Sequence, residues 1–176
     1  MSASAPAAER AALTFFLAAQ RASVLAIVDG LAEDQLSRII VPSGWTPAGM
    51  IEHLGDAERV WFQFVVAGES TDDQDHEPAE VGRADETASN GFRPRRSVAE
   101  ALSYYRAQTV RSDEILAATP LDGRPAARPM VDIGIADDDM TVRDVVLHVI
   151  EETARHAGHL DVARELIDGR TGLGPR

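Results

Sequence analysis

Three side chains in this sequence have the types and spacing of a metal site. Glu152 and His156 are four residues apart in a segment with a helical pattern, and His53 lies far earlier in another. One carboxylate and two imidazoles are the donor set of an open, three-ligand zinc-type site, which leaves a coordination position for water or a substrate. The sequence therefore predicts a metal centre.

The helix that carries Glu152 and His156 has a clear core-facing arc. At 100° per residue this arc is roughly 100° wide, and its members are Val142, Val145, Val149, Thr153, Leu160, Ala163 and Ile167. His156 falls inside the arc, and Glu152 lies about 20° outside its edge. Both are expected to point inward, where a carboxylate needs compensation by charge or hydrogen bonds, and a metal ion is an effective compensator.

Each candidate also has an explanation without a metal. Glu152 is equally compatible with a structural pairing to an arginine or to His156. His53 lies at the margin of the apolar arc of its helix, where a lone histidine is more often a packing residue than a ligand. Its weight as a candidate therefore comes from the other two residues.

The other polar candidates are weaker. His159, three residues after His156, is expected to orient that ring or to line a pocket, and it is worth testing as an acid or base. His148 is expected at the bundle margin, His76 in solvent, and Glu58 in a surface or interface ion pair. The acidic stretches at 72–75 and 137–139 lack the EF-hand pattern.

Composition limits the classes of function. The 176 residues are 44% hydrophobic and fit one domain, 1–176. A net charge of −12 disfavours nucleic acid and anionic membranes as partners and leaves small molecules or other proteins. The chain has no cysteine, so any reactive thiol must come from outside.

No uninterrupted apolar run approaches the roughly 20 residues that span a bilayer, and the N-terminus lacks the order of a signal peptide, so we expect a cytoplasmic protein. No phosphate-binding loop, dinucleotide fingerprint or Gly-x-Ser-x-Gly elbow occurs. An apolar flank of the fold would allow a homodimer, although no particular residue indicates one.

Apolar periodicity and capping signals predict four helices, at about 8–29, 46–67, 97–119 and 141–168. Thr46 is an N-cap before a proline, and Ser97 and Thr141 each begin a capping box with an acidic residue three positions later.

The connection 69–96 is polar and much longer than usual. It can cross the length of a bundle, so the second and third helices are expected to run parallel. The connection 121–139 contains an apolar run and is expected to pack over one end of the bundle as a short strand or turn. The prediction is an all-α four-helix bundle with a long crossover between helices 2 and 3.

Two stretches resemble the DinB-like metal-binding superfamily. The first is Gly44-Trp45-Thr46-Pro47, which leads to His53-Leu54 and then to 58–62 (Glu-Arg-Val-Trp-Phe). The second comprises 148–159 and 164–169, and it is similar to the mycothiol-dependent, maleylpyruvate isomerase-like subgroup. The resemblance covers the second and fourth helices by motif, and the first and third by length and order.

The resemblance implies a bundle with a metal at one end and gives His53, Glu152 and His156 as its ligands. The implied metal is divalent, zinc first and nickel, manganese or iron as alternatives, with mycothiol as a co-substrate. The additional C-terminal domain of the isomerase has no counterpart in these 176 residues. That enzyme's substrate chemistry is therefore not carried over.

The leading hypothesis is a thiol S-transferase or thiol-dependent isomerase, in which the metal activates a small thiol against an electrophile. One alternative is a metal-dependent hydrolase that activates water. Another is a metal-binding stress or interaction protein without catalysis, which a fourth ligand from His148 or His159 would favour.

Overall fold

The computed structural model describes residues 5–70, 92–129, 133–136 and 139–172, and all regular structure within these ranges is helical. The elements are α1 (Ala5–Val28), α2 (Glu33–Leu36), α3 (Pro47–Glu58), a π-helical segment (Arg59–Val66), α4 (Val98–Ala118) and α5 (Val142–Asp168). The short α2 aside, these elements form the four predicted long helices, with α3 and the π-helical segment making up the second. The all-α prediction is confirmed.

The order of contacts along α3 and α4 shows that these helices are parallel. Gly55 of α3 lies against the ring of Tyr104. Gln63, in the π-helical segment that continues α3, hydrogen bonds to Gln108, which follows Tyr104 on α4. Two parallel helices that follow one another in the chain need a connection that returns along the bundle, which is the crossover predicted for 69–96. Residues 71–91 of that connection lie outside the described residues.

Helices α1 and α5 are also parallel. Arg143, near the start of α5, forms an ion pair with Glu9, and Arg164, near its end, donates to the carbonyl of Ile27 at 2.7 Å and to that of Asp29 at 2.8 Å. Arg164 therefore satisfies carbonyls that the end of α1 leaves without helical partners.

The predicted caps fix where the long helices begin. The hydroxyl of Thr46 accepts the Gly49 N–H at 3.1 Å, and Pro47 takes the first helical position. Capping boxes begin α4 at Ser97 and α5 at Thr141.

The second predicted helix is not α-helical throughout, because Arg59–Val66 is a π-helix. The Ala67 N–H bonds the carbonyl of Phe62, five residues earlier, at 3.0 Å. The wider turns bury two neighbouring pairs, Trp61–Phe62 and Val65–Val66.

The connection after α4 packs over the end of the π-helical segment, as predicted. The N–H groups of Ala126 and Ala127 donate to the carbonyls of Val66 and Val65, and no strand occurs in the described part of this connection. Of its predicted apolar run, Ile133 and Ile135 pack on the core, while 130–132 lies outside the described residues.

Among the described residues, α1 is the one helix that is long and apolar enough to cross a membrane by length and composition, and 33% of its most apolar window is buried inside the bundle. Its buried side carries Arg21, whose guanidinium makes two 2.7 Å bonds to Glu58.

The prediction of a surface or interface ion pair for Glu58 was wrong in location, because the side chain of Glu58 is 1% exposed.

Two clusters of buried side chains form the core. Val149 of α5 belongs to one cluster, together with Trp61, while Ala157 and Leu160 belong to the other, together with Leu54. Glu152 and His156 thus lie on α5 where one cluster gives way to the next.

Candidate metal centre

His53, Glu152 and His156 come together in the structure. The Nε2 atoms of His53 and His156 lie 3.1 Å and 2.9 Å from the same oxygen of Glu152, Oε1. One possible ligand atom from each residue lies within 4.8 Å of the other two. The side chains of His53, His156 and Glu152 are 14%, 9% and 24% exposed, so the cluster is largely enclosed but reaches solvent.

Local structure accounts for this meeting. A spacing of four places Glu152 and His156 on one face of α5, one turn apart. Helix α3 runs antiparallel to α5, since Trp61 contacts His148 whereas His53 contacts Glu152 and Trp45 lies near His159. The N-cap at Thr46 sets the start of α3 and hence the turn on which His53 lies.

The electrostatics of the cluster favour an ionised carboxylate. Hydrogen bonds from His156 and His53 hold the pKa of Glu152 well below its ordinary range, against burial, which raises it. In the described part of the chain the hydrogen bonds of Glu152 go to these two histidines. Glu152 therefore pairs with His156 in the structure, whereas no arginine partner of Glu152 occurs among the described residues.

The same atoms suit a metal. Hydrogen bonding to Glu152 needs a proton on each Nε2, whereas metal ligation uses the Nε2 lone pair and the carboxylate oxygen, and the cation replaces the two protons. Two imidazole nitrogens and one carboxylate oxygen are a donor set of open zinc sites. The residues present thus fit a divalent cation.

His159 contacts the cluster from the side of His156. The two Nδ1 atoms lie 3.3 Å apart, and burial and the neighbouring His156 lower the pKa of His159. When the Nδ1 of His159 carries no proton, it can accept a hydrogen bond from the Nδ1–H of His156, and that tautomer leaves Nε2 of His156 free to bind a metal.

His148 lies apart from this group. Its ring packs on Trp61 with the centroids 4.4 Å apart, and burial lowers its pKa. This placement agrees with the bundle margin predicted for it. His76 and the acidic stretch 72–75 lie outside the described residues.

Phe92 is a site residue that the sequence analysis missed. Its ring stacks on that of His53, with a centroid distance of 4.1 Å and an angle of 25°, and meets His156 edge-on at 5.5 Å and 85°. Phe92 lies in a connection without periodicity, so no helical pattern pointed to it. The available signal was its type, since it is the single aromatic residue of 69–96.

The all-α bundle with its crossover, together with the two signature stretches, defines a protein of the DinB-like superfamily. A model of the mycothiol-S-transferase family matches residues 12–169, and the chain belongs to this family. Comparisons with curated proteins and with solved structures gave no significant match.

Proposed function

We propose that this protein is a divalent-metal-dependent thiol S-transferase or isomerase that uses a small thiol such as mycothiol. His53, Glu152 and His156 are the metal ligands in this proposal. The observation that carries it is the convergence of their three donor atoms in a chain of the mycothiol-S-transferase family.

Zinc is the proposed metal, because a mixed nitrogen and oxygen set with an open position is typical of catalytic zinc. Nickel, manganese and iron accept the same donors and are the alternatives. A divalent cation lowers the pKa of a thiol at its open position, so that the thiol reacts as a thiolate at neutral pH.

The protein's own residues have binding and orienting roles in this proposal. Glu152 supplies the negative charge that retains the cation, and the two imidazoles complete the ligand set as neutral ligands. His159 fixes the tautomer of His156. The chain offers no cysteine as nucleophile, so the thiol and its electrophile are both substrates, and the cytoplasm, where thiols stay reduced, is the proposed location.

Among the described residues, no fourth ligand joins the proposed site. The ring of His148 packs at a tilt against Trp61, and the Nδ1 of His159 faces the Nδ1 of His156 instead of the Glu152 carboxylate. Neither residue joins the three-residue cluster. This arrangement supports a catalytic centre over a closed structural site. It leaves a hydrolase as the rival enzyme, since an open zinc site also activates water.

A homodimer through α1 is part of the proposal. From Ala11 to Val28 the one charged residue is Arg21, which points into the core, while Phe15 and Phe16 are 67% and 55% exposed. The pair lies at the middle of α1, with Ala12 and Ala19 at equal distances on either side.

We propose that an antiparallel second copy packs on this face in an isologous contact. The face centres on two exposed phenylalanines, so the expected dimer is weak and depends on concentration. Sedimentation should show it in the wild type and not in Phe16→Glu. A wild type that stays monomeric at all concentrations would contradict the proposed homodimer.

The reaction is tested by incubating metal-loaded protein with mycothiol and a simple electrophile and measuring loss of free thiol and formation of the thioether. We expect metal-dependent product in the wild type and in His148→Ala, a matched variant outside the cluster, and none in His156→Ala. Water incorporation without thiol consumption would identify the hydrolase instead. Metal binding with neither reaction would contradict the transferase and the hydrolase. It would leave the isomerase, which regenerates its thiol, and the non-enzymatic alternative.

A further inference from the structure

Phe92 contacts two of the three proposed ligands at once. It covers the flat face of the His53 imidazole and turns an edge to His156. Its residue exposure is 36%, so it borders solvent beside the cluster instead of filling the core. A ring in this position restricts rotation of the His53 side chain, because turning the imidazole breaks the stack.

The backbone at Phe92 is itself fixed on α3. The Thr46 N–H donates to the carbonyl of Phe92 at 3.2 Å. Gly49 makes this approach possible, because a Cβ on Gly49 would lie 1.8 Å from that carbonyl oxygen. The first turn of α3 therefore carries the segment that covers His53.

Glu52, the residue before His53, holds the same segment from the other side. Its carboxylate is 3% exposed and accepts the N–H groups of Arg95 and Arg96 at 2.9 Å and 3.2 Å. It also accepts both guanidinium groups, at 2.9 Å and 2.6 Å. Burial raises the pKa of Glu52, but these hydrogen bonds outweigh it and lower the pKa overall.

The clamp extends one turn along α3. Arg95 also pairs with Asp56, whose other oxygen accepts the Tyr104 hydroxyl at 2.8 Å, and the Arg96 guanidinium lies 4.0 Å above the Tyr104 ring. These contacts join the buried Glu52 to Arg95 and Arg96, which are 41% and 22% exposed, and tie the return segment 92–96 to α3.

We infer that Phe92 is a positioning residue of the metal centre and that Glu52 is its clamp. The crossover thereby has a second role beside connecting parallel helices, since its last residues complete the support of the His53 ligand. The inference rests on the proposed metal site and adds to it a residue that touches no metal.

The test uses the full chain loaded with Co²⁺, whose visible spectrum reports ligand geometry and whose affinity is measured by chelator competition. Phe92→Leu keeps apolar volume but removes the flat ring, and Phe92→Tyr keeps the ring. Phe64→Leu, the same change at a partly buried phenylalanine of the π-helical segment, is the matched control. Circular dichroism confirms the fold of each variant.

We expect Phe92→Leu to bind Co²⁺ about tenfold more weakly, at the low end of the effect of residues that orient ligands, and with a changed spectrum. Phe92→Tyr and Phe64→Leu should match the wild type. Glu52→Gln, which loosens the clamp, should change the spectrum in the same direction as Phe92→Leu.

Wild-type affinity and spectrum in Phe92→Leu would overturn the positioning role and leave the proposed function intact. A wild type that binds no Co²⁺ at all would remove the metal centre and this inference together. The two failures are therefore distinguishable.

Discussion

The Nε2 of His53 lies 3.1 Å from Oε1 of Glu152, although the two residues are 99 positions apart in the chain. This contact joins α3 to α5, and His156 approaches the same oxygen at 2.9 Å. A single carboxylate oxygen of α5 thus meets one imidazole from α3 and one from its own helix.

Glu152→Gln removes the negative charge and keeps the size of the side chain. We expect it to weaken divalent-metal affinity by at least about 100-fold, beyond the range found for residues that only support a ligand. Glu151→Gln is the matched control, because Glu151 is exposed and pairs with Arg155. Isothermal titration with zinc measures both variants, and equal affinities would contradict the ligand role of Glu152.

Removal of the metal should lower thermal stability. A ligand that binds the native state alone stabilises it by about 2.7 kcal/mol when present at 100 times its Kd. We expect the melting temperature to fall on exhaustive chelation and to recover on adding zinc. In His156→Ala the same treatment should have no effect, and a chelation shift that persisted there would place the metal elsewhere.

Gly49→Ala should disturb the return segment, because the new Cβ would lie 1.8 Å from the Phe92 carbonyl oxygen. Overpacking of this kind costs about 2 kcal/mol, and we expect weaker metal binding as well. Gly158→Ala is the control: it is helical, with nothing within 4 Å of the added Cβ, and should gain stability from helix propensity. Urea unfolding of both variants checks this contrast.

Glu58→Gln should destabilise the bundle by about 3 kcal/mol, because it leaves the buried charge of Arg21 with Asp113, which is 66% exposed, as its remaining carboxylate partner. The side chains of Arg21 and Glu58 are 8% and 1% exposed. Glu114→Gln breaks a surface pair with Arg111 and should cost less than about 1 kcal/mol. Similar losses in the two variants would mean that the buried pair does little for stability.

Local signals made much of the fold predictable. Thr46, Ser97 and Thr141 marked helix starts because capping depends on residues within one turn. The spacing of four residues between Glu152 and His156 predicted that they share one helix face, because this feature also depends on residues about one turn apart. The crossover followed from length and composition alone.

Features set by contacts distant in sequence were missed. Glu58 was placed near the surface because its partner, Arg21, is 37 residues away on another helix. The π-helical turns after Arg59 share their apolar pattern with an ordinary helix. Phe92 reaches His53 through the contacts of its segment with Thr46 and Glu52, and no spacing rule connects these two residues to the segment 92–96.

The metal content of the purified, reconstituted protein tests the central claim most directly. Elemental analysis should find one divalent ion per chain in the wild type and in His148→Ala, and almost none in His156→Ala. A wild type that retained no divalent metal, or a His156→Ala variant that retained as much as the wild type, would contradict a metal centre at His53, Glu152 and His156.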